Sequence, residues 1–214
     1  GPTASRPNAL QMKKLLFLAG SVIGLALLLQ VRQVYSEQGL ESPDYKVEKR
    51  DGRFEFRRYE SYLVAEVTVS GPREKAANQG FSILSGYIYG SNQSKQTPAE
   101  SEKIAMTAPV TQLPVAEGAW KIRFMMPKKY TLDNLPSAKD ERIRFFQTQP
   151  ERYLSLDFSG AWKDDQLNKN KAKLLDYVRS AQVQVDGEPF YAFYNSPFVP
   201  PPLRRNEVLI KLSN

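Results

Sequence analysis

Short runs in which apolar and polar residues alternate dominate the chain from residue 45 onward. In the segment YLVAEVTV every second side chain is apolar and would lie on one face of an extended strand: Leu63, Ala65, Val67 and Val69. The segments WKIRFMMP, RIRFF, YLSLDF, FYAFY and EVLIKL have similar patterns, and we predict a strand for each. The segment VEKRDGRFEF predicts a hairpin, because Asp51-Gly52 can supply the positive φ angles of a tight turn.

Two longer segments show the period of an amphipathic helix. In SGPREKAANQGFSILSGYIYG, Pro72 fits a helix start, and the apolar stripe consists of Ala77, Phe81, Leu84 and Ile88. The second helix is expected from about Asp164 to Gln182, with the stripe Leu167, Leu174, Val178 and Ala181. Gly80 and Gly86 each cost the first helix about 1 kcal/mol relative to alanine. Either a ligand or partner approaches this helix closely there, or the helix packs on a sheet with reduced stability.

A weak internal repeat suggests that the domain is duplicated. The segment ESYLVAEVTVSG resembles ERYLSLDFSG, and both lead into a predicted helix. The segment TAPV at Thr107 similarly matches NSPF at Asn195, at the same offset of roughly 90 residues. The alternating segment KIAMTAPV should be a strand that stops at Pro109, and its counterpart should stop at Pro197. We therefore expect an α+β domain in which two strand–helix–strand–strand halves form a distorted antiparallel β-barrel flanked by two helices.

The composition of the chain excludes several kinds of catalytic and metal-binding site. The chain of 214 residues has no cysteine and no histidine, which excludes disulfides, thiol nucleophiles, a Ser-His-Asp triad and histidine-rich metal sites. Glu207 in RRNEV remains a candidate acid, with pairing to a neighbouring arginine as the alternative. We expect no enzyme. The net charge of +7 comes from scattered lysines and arginines, so we expect a solvated basic surface and no nucleic-acid partner.

The N-terminal segment has the pattern of a membrane anchor. Lys13 and Lys14 precede an apolar run from Leu15 to Leu29, and no small-residue cleavage site follows. We expect a signal anchor over residues 12–34, with a cleaved signal peptide as the alternative. Residues 1–11 would be a tail or a vector remnant, residues 35–44 a linker and residues 45–214 the folded domain. The domain would then lie outside the cytoplasm, in a bacterial envelope, or be secreted after cleavage.

Several segments together resemble one known family. KIAMTAPV, FMMP and YNSPFVPPPLRRNEVLI, joined by GFSILSGYIYG, closely resemble the SOUL haem-binding protein family from Tyr45 to Leu212. The resemblance implies two helices around a distorted barrel, a plan similar to the effector-binding domains of some bacterial transcription regulators. It also implies a non-enzymatic tetrapyrrole carrier or buffer, with haem or another porphyrin as a ligand that folding does not require.

The same resemblance implies a ligand site between the first helix and the loop before the last strand. The residues at these places are Phe81, Leu84, Ile88, Phe198 and Val199, with Arg204 as a cation for a propionate group. No metal site is predicted, because the chain has no histidine to ligate iron. An iron ligand would otherwise have to be a methionine, tyrosine or lysine. The candidates are Met106, Met125 and Tyr87, which we expect to be ordinary core residues.

Two other functions stay open beside tetrapyrrole binding. The first is a binding module or sensor for another small hydrophobic ligand, by analogy with the effector-binding domains. The second is an envelope domain that binds another protein, although no sequence feature indicates which protein. The anchor would supply a membrane contact in each case.

Overall fold

Nine strands form one antiparallel sheet in the computed structural model, which describes residues 39–115 and 118–213. The strands are β1 (Tyr45–Asp51), β2 (Phe54–Tyr59), β3 (Leu63–Ser70), β4 (Asn92–Gln93), β5 (Val110–Val115), β6 (Ala119–Met125), β7 (Ser137–Ala138), β8 (Arg144–Gln147), β9 (Glu151–Phe158), β10 (Val185–Phe193) and β11 (Asn206–Leu212). The helices are α1 (Arg73–Ile88) and α2 (Asp164–Ser180), and a 3₁₀ turn spans Pro201–Leu203. The short strands β4 and β7 pair only with each other.

The large sheet is curled but open. Its order is β1-β2-β9-β11-β10-β5-β6-β3-β8, and all neighbours pair antiparallel. The edge strands β1 and β8 do not pair with each other, so the α+β class is confirmed and the predicted barrel is wrong. A barrel requires the last strand to hydrogen-bond to the first, whereas β8 is four residues long and bonds only to β3.

The predicted duplication is confirmed by the topology. One half runs β2–β3–α1–β5–β6 and the other β8–β9–α2–β10–β11, and the two halves occupy mirrored places in the sheet order. The first strand of each half pairs with the second strand of the other half. Gly71 and Gly160, which end the two repeated sequences, have φ angles of 118° and 124°. The Ser-Gly repeat therefore marks equivalent turns before the helices.

The match between TAPV and NSPF is wrong. Residues 103–109 form no strand, and β5 begins only after Pro109, whereas NSPF follows β10. The N–H of Ile104 bonds to the carbonyl of Ile88 at 2.8 Å, and the N–H of Ala108 bonds to the carbonyl of Glu41 at 2.9 Å. These irregular bonds replace a strand ladder. Pro109 thus precedes a strand, and Pro197 follows one.

Both helices pack on the same face of the sheet. Helix α1 contacts β3 and β6, and α2 contacts β9 and β11. In the middle, Gln112 pairs with Tyr191 in register, and Gln112 accepts a hydrogen bond of 2.8 Å from Arg73 at the start of α1. A Cβ on Gly80 would lie 2.4 Å from the Cγ1 atom of Ile122, so this glycine lets α1 approach β6. The close approach predicted at Gly80 is therefore helix packing on the sheet.

Most of the predicted core positions are confirmed. Ala77, Leu84 and Ile88 are buried under α1, and Leu167, Leu174 and Val178 under α2. Phe81 is 43% exposed, and Ala181 is exposed beyond the end of α2, so these two members of the predicted stripes are wrong. The hairpin between β1 and β2 is confirmed with a shift of one residue, because Asp51 pairs with Phe54 and the positive φ belongs to Gly52.

The predicted tail and anchor, residues 1–34, lie outside the described residues. Of the predicted linker, residues 39–44 are described, and part of it packs on the domain. Glu41 accepts a bond of 2.8 Å from the N–H of Lys128, and Pro43 is buried. Among the helices that the structure describes, none has the length and apolar character to cross a membrane.

Candidate functional site

The face of the sheet that turns away from the helices forms an aromatic cleft. Because side chains alternate along strands, residues next to the core positions line this face. The cleft is lined by tyrosines from several strands and their flanks, namely Tyr59, Tyr62, Tyr153 and Tyr194. Small side chains, Thr111 and Ala192, lie between them. The cleft has a volume of about 30 Å³, which is enough for only one or two water molecules.

A buried carboxylate lies beneath this cleft. Glu207 on β11 is 0% exposed. Arg57 on β2 donates to its two carboxylate oxygens at 2.9 and 3.0 Å, and Arg205 donates at 2.7 Å. The Tyr194 hydroxyl donates to Glu207 at 2.9 Å. The alternative that Glu207 pairs with a neighbouring arginine is confirmed, and a second arginine from another strand joins the pair.

The contacts within this cluster determine the protonation states of Glu207 and Tyr194. Burial alone would raise the pKa of Glu207, but the hydrogen bonds and charges of Arg57 and Arg205 outweigh it and lower that pKa. Burial and the neighbouring Glu207 charge raise the pKa of Tyr194 well above its usual value, so its hydroxyl keeps its proton. Glu207 is therefore an ionised carboxylate with every neighbour in place, which makes it a poor proton acceptor for catalysis.

The curl of the sheet brings distant strands together at the rim of the cleft. Arg123 on β6 donates to Glu66 at 2.6 Å, and Glu151 on β9 accepts from Lys211 at 2.7 Å. Three strands separate β6 from β9 in the sheet order. Burial would raise the pKa of Glu151, but Lys211 and, at longer range, Arg123 help to lower it. The two rims therefore approach each other across the cleft.

The ligand site predicted from the resemblance lies on the other side of the sheet. Leu84, Ile88 and Val199 are almost fully buried, whereas Phe198 is 78% exposed. The ring of Phe81 packs edge-on against Phe124, with the ring centroids 5.5 Å apart. Phe81 and Phe198 are therefore the predicted apolar residues whose side chains a ligand can reach without rearrangement. Whether they bind one stays a prediction.

Arg204 is held in place by its own loop. Its Nε donates to the carbonyl of Val199 at 2.7 Å, and one terminal nitrogen donates to that of Pro197 at 2.8 Å. The guanidinium carbon lies 4.3 Å from the ring centroid of Trp162. Its other terminal nitrogen donates to no residue within the described ranges, so it is available to an anionic group.

The strand register shows how near the loop is to α1. Phe81 packs on Phe124, Phe124 pairs with Val110, and Val110 pairs with Phe193, the last residue before the loop. Two strand spacings separate Phe124 from Phe193, which corresponds to about 10 Å. Phe81 and the start of the loop therefore lie near the same ends of the central strands β6, β5 and β10, and we call this region the loop edge of the sheet.

None of the three predicted iron ligands lies at that edge as an exposed side chain. Tyr87 is buried and donates its hydroxyl to the carbonyl of Pro136 at 2.8 Å, and Met106 packs against the core under α1. Met125 lines the cleft on the opposite face of the sheet. In the part of the chain that the structure describes, no group of three or more acidic residues is arranged to hold a metal ion.

These features define a duplicated α+β fold with one curled sheet and both helices on one face, and solved structures share it. The crystal structure of the EcmrR C-terminal domain has a TM-score of 0.52 at 10% identity, covering 79% of this chain and 98% of that chain. A crystal structure of a hydrolase from Listeria innocua has a TM-score of 0.52 at 10% identity, covering 78% of this chain and 94% of that chain. At this identity the likeness concerns the fold alone.

Sequence comparison narrows this class to a family. The model of the SOUL heme-binding protein family matches residues 40–211, and the chain belongs to this family. Heme-binding protein 2 of Mus musculus is 27% identical over 183 residues, covering 79% of this chain and 85% of that protein. The predicted family is thereby confirmed.

Sequence reasoning missed the aromatic cleft. Its lining comes from seven separate stretches of chain, between Pro43 and Leu209, and no segment holds more than a few of its residues. A signal did exist, because tyrosines stand directly beside predicted core positions in ESYLVAEV, ERYLSL and FYAFY. Only the curl of the sheet turns those positions into one cleft.

Proposed function

We propose that this protein is a non-enzymatic tetrapyrrole-binding protein, in which the ligand lies on the edge formed by α1 and the loop between β10 and β11. The observation that carries the proposal is the exposure of large apolar side chains there. Phe81, Phe198 and Leu203 are all exposed, although burial of such side chains is normally favourable. Membership of the family favours a porphyrin as the molecule that covers them.

The residues fit the macrocycle better than the iron. Phe81 and Phe198 offer aromatic surface to a flat apolar ring, and Arg204 has one free terminal nitrogen for a propionate. No histidine exists in the chain, and the described methionines are half-buried or buried. We therefore infer binding through the ring and its carboxylates, without an axial ligand from the protein.

A pair of titrations tests this proposal. Hemin and iron-free protoporphyrin are titrated into the chain, followed by absorbance and by quenching of tryptophan fluorescence. The expected result is saturable binding with dissociation constants that agree within about threefold, since no iron ligand discriminates them. Absence of saturation would refute the proposal, and a much tighter hemin complex would refute binding without an axial ligand.

A matched pair of variants locates the site. Phe81→Asp places a charge on the proposed surface and should weaken porphyrin binding at least about tenfold, because apolar contact drives the association. Leu132→Asp is the control, since Leu132 is 47% exposed, close to the 43% of Phe81, and lies outside both α1 and the loop. Equal porphyrin affinity of the two variants would contradict the proposal that the porphyrin binds at the surface around Phe81.

We further propose that the segment over residues 12–34 anchors the domain in a membrane, with the domain outside the cytoplasm. The apolar run from Leu15 to Leu29 behind Lys13 and Lys14 supports this. Deletion of residues 12–34 should move the protein from the membrane fraction to the soluble fraction of cells. Recovery of the full chain in the soluble fraction would overturn the proposal.

A further inference from the structure

The aromatic cleft is a candidate for a second ligand, separate from the porphyrin surface. It lies on the face of the sheet opposite α1, α2 and their core clusters. Its rims come from β3 and β6 on one side and from β9 on the other, while β5, β10 and β11 form the floor between them. A ligand here would not contact Phe81 or Phe198.

The walls of the cleft suit a flat ring. The rings of Tyr59 and Tyr153 meet edge to face with centroids 5.6 Å apart, and Tyr153 meets Phe190 in the same way at 5.4 Å. The floor between them carries the small side chains Thr111 and Ala192, which pair in register. Aromatic walls above a floor of small residues favour a planar aromatic ligand, because its faces and edges find matching rings.

The hydroxyl of Tyr62 and the terminal nitrogens of Arg123, on one rim of the cleft, have no hydrogen-bond acceptor among the described residues. The hydroxyl of Tyr62 donates to none of them, and Arg123 donates only through Nε, to Glu66. Of the other cleft tyrosines, Tyr153 donates to Glu151 and Tyr194 to Glu207, while Tyr59 accepts a hydrogen bond from Arg57. Tyr62 and Arg123 both line the cleft. Burial raises the pKa of Tyr62, and the charge of Arg123 opposes this effect. This rim therefore offers an acceptor donors from two residues.

The charges of the cleft disfavour a cation. Glu207 is fully buried and already accepts from two arginines and a tyrosine. Glu66 is held by Arg123 and by Lys121, whose nitrogen is 3.6 Å away. Glu151 on the opposite rim accepts from Lys211 and Tyr153. A cationic ligand would therefore meet Arg123 and only carboxylates that are already paired, whereas an anionic ligand would meet free donors.

We propose that the cleft binds a small, flat aromatic carboxylate. The ring lies between the tyrosine walls over Ala192, and the carboxylate accepts hydrogen bonds from Arg123 and from the hydroxyl of Tyr62. The present volume of about 30 Å³ requires the tyrosine side chains to rotate apart when the ligand enters. A tetrapyrrole is far larger than this cleft, so the proposal concerns a ligand of one or two fused rings.

The proposal is tested on the purified full chain with three probes that share one ring system. Naphthalene-2-carboxylate, naphthalene-2-carboxamide and naphthalene-2-methylammonium are titrated by calorimetry at pH 7. The carboxylate should bind at least about tenfold more tightly than the amide or the ammonium, because only it is an anion with an acceptor oxygen for each donor, whereas the amide has one neutral acceptor oxygen and the ammonium has none. Equal or tighter binding of the ammonium would overturn the proposal, and so would the absence of saturation by the carboxylate at millimolar concentration.

Substitutions and the NMR signals of labelled methyl groups locate the binding site of the carboxylate probe. Arg123→Gln should reduce carboxylate affinity at least about tenfold, and Tyr62→Phe, which removes only a hydroxyl, should reduce it several-fold. Arg179→Gln on α2 makes the same charge change away from the cleft and should have no effect. In methyl NMR spectra the signal of Met125, which lines the cleft, should move on titration. Unchanged affinity in both Arg123→Gln and Tyr62→Phe, or an unmoved Met125 signal, would overturn the proposal.

Discussion

The substitution Glu207→Gln removes a negative charge from the centre of a buried cluster while it keeps the shape of the side chain. In the native protein Glu207 is fully buried and accepts from Arg57, Arg205 and Tyr194 at 2.7 to 3.0 Å. The glutamine amide has one oxygen to accept these bonds and places an NH₂ group beside an arginine. The side chain of Arg57, which is only 4% exposed, then loses its main counter-charge.

Breaking a buried ion pair by removing one partner costs roughly 3 to 5 kcal/mol. Two features place Glu207→Gln at the lower end of this range. Arg57 keeps a bond of 2.7 Å from its Nε to Glu55, and Arg205 is 48% exposed and can return to water. We expect a loss of about 3 kcal/mol in the free energy of unfolding, which lowers the urea midpoint by about 1.5 M for a slope near 2 kcal/mol/M.

Urea unfolding followed by tryptophan fluorescence and circular dichroism measures this loss. Glu188→Gln is the matched control, because Glu188 is 72% exposed and its ion pair with Lys171 is 3.5 Å long. The control should change the free energy of unfolding by less than about 0.5 kcal/mol. A similar small change for Glu207→Gln would refute the inference that the buried carboxylate holds Arg57 in place.

The pH dependence of the same measurement gives a second check. Because the pKa of Glu207 is lowered in the folded protein, its contribution is complete above the pKa of an unfolded glutamate, about 4.3. That contribution is lost as the pH falls through the lower folded pKa. The difference between the native protein and Glu207→Gln should therefore stay constant between about pH 6 and 8 and shrink below about pH 4. A difference that grows in acid would contradict the direction of the pKa shift.

Two further substitutions test how the fold is held together. Gly80→Ala should destabilise the domain by about 1–3 kcal/mol, because its Cβ would lie 2.4 Å from Ile122. A Cβ at Gly86 would have only the Oγ of Ser91 nearby, at 3.8 Å, so Gly86→Ala should stabilise the domain by up to about 1 kcal/mol. If urea unfolding showed that both substitutions change the free energy of unfolding in the same direction, the packing argument would be contradicted. Asn206→Ala should cost about 1–3 kcal/mol, because the buried asparagine accepts from the indole of Trp162 at 2.8 Å, and a native melting temperature would contradict this.

The elements and the duplication could be predicted from the sequence because both depend on local signals. Alternating apolar residues identified the strands, and the Ser-Gly steps at Gly71 and Gly160 identified equivalent turns. Closure of the barrel could not be predicted, because it depends on whether two edge strands meet. The strand assigned to KIAMTAPV failed for a related reason. Its backbone bonds go to Ile88 and Glu41, and alternation of side chains does not report the partners of backbone groups.

The two candidate ligand surfaces show what a family resemblance adds and what it omits. The resemblance led to Phe81 and Phe198, because those segments lie in the motifs that identify the family. It gave no weight to Tyr62, directly before β3, or to Arg123 on the neighbouring strand β6, because both stand outside the segments that identify the family. Donors beside a cleft that lack an acceptor raise the free energy of the folded protein, and hydrogen bonds to a ligand carboxylate would offset this cost. The opposite faces of one sheet can therefore hold two unrelated ligands, and each face has its own variant that should weaken binding there alone.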